Sequence, residues 1–322
     1  MKPRRLGRTG IEVSEIGFGA WGLGATMWRG VADDDALAAV RAAVEAGVTF
    51  IDTALVYGDG HSERLIAKAR TNAVVATKIP PLDGAWPAAA DSKLADVFPA
   101  IHVRVSTETS LRNLGGEAIA VQQFHVWHDA WLDQPAWAAT RREMARLVAE
   151  GKVLHWGISI NDHAPQTALR ALTDPLFEAA QVIYNIFDRA PERELFHLAR
   201  EKNIGIIVRV PFDEGTLTGA IRPDTQFPEG DWRHRYFRGD RRAEAARRAD
   251  ALLPLLGDEA KTLPELALRF VLSRPEVSTV IPGMRKATHA RANAAVSDGR
   301  LLDSALLEKL MGHAWEKNWY RD

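Results

Sequence analysis

Gly17-Phe18-Gly19-Ala20-Trp21-Gly22-Leu23-Gly24 is the stretch that separates two candidate folds. Gly17, Gly19 and Gly22 stand at the Gly-x-Gly-x-x-Gly spacing that follows the first strand of a doubly wound, dinucleotide-binding sheet. In that fold a helix opens on the last glycine. Here Trp21 and a second glycine pair make a poor helix start, and no helical pattern begins until Asp33-Asp34-Asp35. The segment reads instead as a strand running into a loop, so the architecture must come from the rest of the chain.

Outward from it, short apolar runs alternate with helical stretches. Residues 15–19, 49–52, 73–77, 118–124, 153–159, 180–184, 205–210 and 278–281 read as strands, several of them β-branched and bounded by Gly or Pro. Helices are expected at 36–46, closed by Gly47, and at 134–150, closed by Gly151. Further helices are expected at 191–202, where Pro191 costs nothing in the first turn, and at 240–256, 263–273 and 303–318. Eight strand–helix alternations imply parallel strands with right-handed crossovers, and eight is the number that closes a (β/α)8 TIM barrel. The expected architecture is α/β: one barrel domain over 1–322, with a long loop after strand seven and a C-terminal helical tail. That loop, 211–240, lacks periodicity, and its Trp232, Tyr236 and Phe237 point to a folded lid.

Composition narrows the function. The 322 residues carry 41 Lys plus Arg against 42 Asp plus Glu, a net charge of −1, which removes the electrostatic case for nucleic acid or an anionic membrane as partner. With no Cys, disulfides, thiolate metal sites and Cys nucleophiles are excluded. The basic start leads into no apolar core segment and no run of about 18 apolar residues occurs, so a cytoplasmic protein without membrane spans is expected.

In a barrel the strand C-termini build the active site. Strand two ends in Asp52, with Tyr57 five residues on; strand three leads into Lys78 and strand four into His125. Each alone has an ordinary reading: a structural ion pair, a loop aromatic, a core imidazole. Together, at three adjacent strand ends, they form a coherent acid. A phenol titrates near pH 10, a neighbouring ammonium is expected to lower that value, a carboxylate keeps the ammonium charged, and an imidazole can bind a substrate oxygen. Such a group protonates a carbonyl oxygen as charge builds on it and requires a hydride-donating cofactor.

The ordered set Asp52, Tyr57, Lys78 and His125 resembles the catalytic tetrad of the aldo-keto reductase superfamily. Phe50-Ile51-Asp52-Thr53-Ala54-x-x-Tyr57-Gly58 with Ser62-Glu63, Gly157-Ile158-Ser159, Gln181-Val182-Ile183-Tyr184-Asn185, Pro211 with Gly215-Thr216-Leu217-Thr218-Gly219, and Ile281-Pro282-Gly283 through Asn293 are similar to its further blocks, in order. The resemblance implies Tyr57 as proton donor, tuned by Lys78 and Asp52, with His125 orienting the carbonyl. It implies Gly19, Ala20, Trp21 and Asp52 at the nicotinamide end of the cofactor and Ser159 and Gln181 on its amide. It places Gly283, Met284 and Arg285 near the ribose phosphate, with His289 and Asn293 beyond. Ile160 stands where the family often has Asn, so the amide contact is either lost or made by Asn161. Arg209, before Pro211, replaces a common aromatic–Ser pair and faces the cofactor pyrophosphate or pairs with Asp213 or Glu214; the phosphate role is favoured here. Arg285 and Lys286 supply the cation that a 2′-phosphate wants, which argues for NADPH.

His125 and His128 do not make a metal site, because strand positions three apart face opposite sides. Trp21, Trp28, Trp86 and Trp127 lie beyond strand ends and are expected to wall a pocket for an apolar or ring-bearing carbonyl compound. Trp315 and Trp319 are expected to staple the last helix to the barrel. The reading is an NADPH-dependent reductase of aldehydes or ketones, acting on a small molecule as monomer or homo-oligomer. Two alternatives keep the same site: an alcohol or sugar dehydrogenase, and a cofactor-sensing binding subunit with little turnover.

Overall fold

In the computed structural model, which describes residues 1–320, eight parallel strands succeed one another in sequence order around one sheet. They are β1 (Phe18–Gly19), β2 (Phe50–Asp52), β3 (Val74–Ile79), β4 (Ile119–Phe124), β5 (Val153–Ser159), β6 (Phe177–Ile183), β7 (Gly205–Arg209) and β8 (Val277–Val280). Parallel bridges Ile16–Val280 and Gly19–Gly283 close the last strand onto the first. Gly17 and Gly19 of the opening stretch serve this seam: a Cβ at Gly19 would lie 2.5 Å from the Ile281 carbonyl oxygen, and one at Gly17 2.9 Å from Thr279 Oγ1. The first two glycines of the spacing therefore belong to barrel closure, and no helix opens on Gly22, which begins no phosphate-binding turn of the doubly wound kind.

Helices α1 (Asp33–Glu45), α2 (His61–Ala69), α3 (Ala100–Leu114), α4 (Ala136–Ala149), α5 (Leu195–Lys202), α6 (Arg241–Asp250), α7 (Leu263–Leu272) and α8 (Ala287–Ala295) pack outside, followed by α9 (Ser304–Met311). Between β5 and β6 the crossover uses two 3₁₀ turns, Pro165–Ala168 and Ala171–Thr173. An antiparallel hairpin, Pro3–Arg5 with Glu12–Ser14, plugs the barrel base: its Leu6 and Val13 pack with Phe50, Ala76, Val121, Ala179 and Ile207 from five strands.

The barrel expectation is correct, with changed boundaries. Helices α2 and α3 lie outside the expected set: α2 starts after a left-handed Gly60, and α3 carries Ser and Thr at 106, 107, 109 and 110, which weaken a helical pattern. The helix expected over 240–256 ends at Asp250 and gives way to a 3₁₀ turn around Pro254. The C-terminal tail is helical only to Met311. Residues 312–320 then run back over the loops after β6 and β7, with the Trp315 amide donating to Phe187 O at 2.9 Å. The loop after β7 is folded: Asp213–Thr218 forms 3₁₀ turns broken by a kink at left-handed Glu214 and Gly215, and Arg233–Tyr236 forms a helical turn whose Tyr236 packs with Trp319 and Tyr320. Among the described residues no helix is long and apolar enough to cross a membrane.

Candidate active site

The strand ends converge as parallel pairing requires. Register sets Asp52 beside Ala76 and Lys78 beside Gln123, so the acid of β2, the amine of β3 and the amide of β4 share the barrel interior. Lys78 is fully buried. Its ammonium donates to Asp52 Oδ1 and, at 2.7 Å, to the Thr53 carbonyl. The second oxygen of Asp52 accepts from Gln123 Nε2 (3.2 Å) and Gln181 Nε2 (2.7 Å). Every arm of this carboxylate is thus fixed by a neighbour on another strand.

Tyr57 sits in the turn between β2 and α2, against which Gly24 is pressed; a Cβ at Gly24 would lie 2.8 Å from the Tyr57 carbonyl carbon. The Tyr57 ring centre is 5.2 Å from Lys78 Nζ and 5.6 Å from the His125 ring, which meets it edge-on. Trp86 packs edge-on against His125 at 4.6 Å.

Electrostatics correct one expectation. The Tyr57 phenol is pushed far up by burial, with the charges of Asp52, Glu214 and Asp162 adding to the rise, and the cation that opposes them is Arg209. The expected lowering by Lys78 is outweighed, first by burial and then by the negative charge of Asp52. Tyr57 is therefore a neutral phenol that holds its proton. Burial likewise lowers Lys78 and is countered by Asp52. Burial, then Lys78 and Arg209, holds His125 well below the usual imidazole range, so it is neutral at physiological pH.

Above these groups opens a cavity of about 1430 Å³. Gly19, Ala20, Trp21, Ser159, Gln181, Arg209, Pro211, Gly283, Arg285, His289 and Asn293 all line it, as do Trp28 and Trp86. It reaches from Tyr57 to the start of α8 and the head of α7, an elongated shape suited to a dinucleotide beside a small substrate. Buried polar atoms without protein partners line it: Arg209 Nε, Trp28 Nε1, Trp232 Nε1 and the Tyr236 hydroxyl. Donors facing a groove in this way suit the oxygens of a nucleotide.

Three sequence expectations need correction, and Arg209 takes neither of the two acidic partners weighed for it. Trp127 is fully buried between Phe124, Trp131, Trp137 and Phe177 and is a core residue, because its indole turns outward from the barrel and bonds Asp129. Asn161 is committed to backbone: its amide bonds Ala88 N and O and Trp127 O, all at 2.9–3.1 Å, which pins the Trp86 loop. The Met284 side chain is buried in the core, so it forms no part of the cavity wall. Arg209 pairs with Asp162 at 2.7 Å and with the Ile160 carbonyl, not with Asp213 or Glu214.

Lys286 stands before α8, outside the cavity wall, whereas the Arg285 guanidinium lies 5.0 Å from the Trp28 ring and donates to Arg29 O. His128 Nδ1 accepts from Ala130 N, and among the described residues no three His, Asp or Glu side chains could hold a metal ion. Trp315 packs on Phe187, while Trp319 also reaches the cavity.

Residues the sequence reading missed are Gln123, which holds Asp52, and Arg233 and Tyr320, which complete with the expected lid aromatics Trp232 and Tyr236 a cover over the cavity. Trp232 packs on Trp21 (5.2 Å) and Trp28 (6.1 Å) and stacks with Tyr320 (6.0 Å). Alternation along β4 could have flagged Gln123; the joining of Tyr320 to Trp232 spans 88 positions and has no local signal.

Comparison with known proteins agrees with this geometry. Residues 15–311 match the model of the aldo/keto reductase family. The chain is 30% identical to aldo-keto reductase YhdN of Bacillus subtilis (strain 168), covering 89% of this chain and 86% of that one. It is 28% identical to the NADH-specific methylglyoxal reductase of Escherichia coli (strain K12), over 98% of this chain and all of that one. Among solved structures, glycerol dehydrogenase AKR11B4 from Gluconobacter oxydans superposes with a TM-score of 0.77 at 27% identity, covering 97% and 94% of the two chains. The holo form of aldo-keto reductase AKR11C1 from Bacillus halodurans gives 0.75 at 25% identity, covering 98% and 96%. The chain belongs to the aldo/keto reductase family and is an NAD(P)H-dependent oxidoreductase acting on carbonyl groups.

Proposed function

We propose that this enzyme reduces an aldehyde or ketone to the alcohol, with NADPH as cofactor and Tyr57 as proton donor. The observation that carries the reading is the neutral, buried Tyr57 phenol set between Lys78 and His125 at the floor of a dinucleotide-sized cavity. When bound, the reduced nicotinamide supplies the hydride that goes to the carbonyl carbon.

The chain's own groups do the rest. Neutral His125 and the Tyr57 hydroxyl hold the carbonyl oxygen, and Tyr57 gives up its proton as negative charge develops there. The positive field of Lys78, steadied by Asp52, stabilises the phenolate that remains. Gln123 and Gln181 keep Asp52 oriented. Trp21, Trp28, Trp86 and Trp232 exclude water from the reacting centre, which strengthens each of these interactions. Ser159 and Gln181 would hold the nicotinamide amide, and Arg285, His289 and Asn293 the adenosine end. The 2′-phosphate preference is argued from Arg285, whose guanidinium lies over Trp28 on the same ring as Arg233.

Titration of tryptophan fluorescence with NADPH and with NADH, followed by a screen of carbonyl compounds, tests the reading. Tight NADPH binding and carbonyl-dependent NADPH oxidation are expected. Preference for NADH, as the name of the Escherichia coli relative carries, would remove the 2′-phosphate argument. Binding of cofactor without turnover would favour a sensing role.

A further inference from the structure

Ser62-Glu63, at the head of α2, reaches the Lys78 ammonium from behind by two routes. On the first, Ser62 Oγ lies 2.9 Å from Thr53 Oγ1 and donates to the Ala20 carbonyl at 3.1 Å, which fixes Thr53. The Thr53 carbonyl is the second acceptor of the Lys78 ammonium. On the other, Glu63 Oε1 accepts from Thr77 Oγ1 at 2.6 Å, and Thr77 is the β3 residue next to Lys78. Side chains alternate across a strand, so Glu63 and Thr77 meet outside the barrel wall while Lys78 points inside.

Glu63 is fully buried, and its second oxygen accepts from the neutral Asn113 Nδ2 at 2.8 Å. Both of its bonds therefore come from uncharged donors. It stands in the first turn of α2, at the positive end of the helix dipole. Such a carboxylate keeps most of its field, and in a low-dielectric wall that field reaches across the strand.

We propose that Glu63 is a positioning residue for the reduction: through Thr77 and across β3 it supplies a second negative field, beside Asp52, that keeps Lys78 charged. This inference rests on the reading of Tyr57 and Lys78 given above. The groups facing Lys78 are Asp52 and Tyr57 from the end of β2, His125 after β4 and Arg209 at the end of β7; Arg64 flanks Glu63 on α2, and α3 contributes the neutral Asn113. Glu63 acts on Lys78 in the same direction as Asp52, and Arg209 in the opposite one.

The test is the pH profile of kcat/KM for carbonyl reduction. Glu63→Gln keeps shape and removes the charge. Whether the alkaline limb reports Lys78 or Tyr57, loss of a negative neighbour lowers its pKa, so that limb moves about one pH unit down while NADPH affinity stays at the wild-type value. Glu63→Asp, which keeps the charge, restores the limb. A purely structural role would lower stability and turnover without moving the limb.

Should the Glu63→Gln protein fail to fold, Asn113→Lys on the half-buried face of α3 leaves Glu63 in place, pairs it with an ammonium and moves the limb the same way. An unmoved limb in whichever variant folds overturns the inference. Lys78→Met is made in parallel. An inactive Lys78→Met with an unmoved Glu63→Gln limb fells this inference alone, whereas an active Lys78→Met fells the proton-donor reading and this inference with it.

Discussion

The Lys317 ammonium lies 2.6 Å from Asp213 Oδ1 in an ion pair almost closed off from solvent, and it ties the C-terminal tail to the loop after β7. Lys317 also stands 4.3 Å from the Trp315 ring centre. Removing one partner of a buried pair leaves the other charge uncompensated. Lys317→Ala should therefore destabilise the protein by about 3 kcal/mol, and Lys317→Met combined with Asp213→Asn by much less. Urea denaturation of the two variants measures the difference; equal losses would mean that the pair is not what holds the tail.

Tyr57→Phe removes a hydroxyl and leaves the ring against His125 and Trp21. Carbonyl reduction should fall about 10²–10⁴-fold with NADPH affinity near the wild-type value. Lys78→Met should cost a comparable factor, because Asp52 then stands uncompensated beside the phenol. Steady-state kinetics with a fluorescence titration separates the two effects, and wild-type rates in Tyr57→Phe would end the proton-donor assignment.

Glu214 gives a pH dependence of defined sign. Burial pushes its carboxyl up to about 7, helped by Asp213 and Asp162 and opposed by the hydrogen bond from Tyr320 and by Arg209. A raised folded-state value means that the stability held by the protonated form is complete below the ordinary value of 4.5 and is lost as pH rises through about 7. Relative to Glu214→Gln, the wild type should lose about 3 kcal/mol of unfolding free energy between pH 4.5 and 7.5. Parallel curves for the two proteins would show that Glu214 does not titrate there.

These residues mark where sequence reading works. Asp52, Lys78 and His125 were legible because strand ends in a parallel barrel point to one face, so a residue's place along its strand fixes its place in the site. Tyr57 followed from its distance to Asp52. Trp127 misled because being just past a strand end says nothing of the side on which an indole lies. Asn161 misled because a vacant family position does not reveal that its amide is already spent on Ala88 and Trp127. Lys317–Asp213 and Tyr320–Glu214 span more than a hundred residues and arise only when the tail folds over the loop, which no local pattern encodes.

In the proposed function, Arg285 is the residue that sets the preference for NADPH. Its stem crosses Gly22, where a Cβ would sit 2.7 Å from Arg285 Cδ, and its guanidinium shares the Trp28 ring with Arg233. Burial and the nearby Arg233 charge both disfavour its own charge, so a bound phosphate relieves the repulsion between the two guanidiniums. A dianionic 2′-phosphate gains from this site what a hydroxyl cannot. Arg285→Ala should weaken NADPH about tenfold or more and leave NADH within about twofold, read by tryptophan fluorescence titration at fixed ionic strength. Gly22→Ala crowds the same side chain and should shift the preference in the same direction, more weakly. Equal losses for both cofactors in Arg285→Ala would mean that Arg285 braces the cover through Arg29 and Trp28 and that the 2′-phosphate is bound elsewhere.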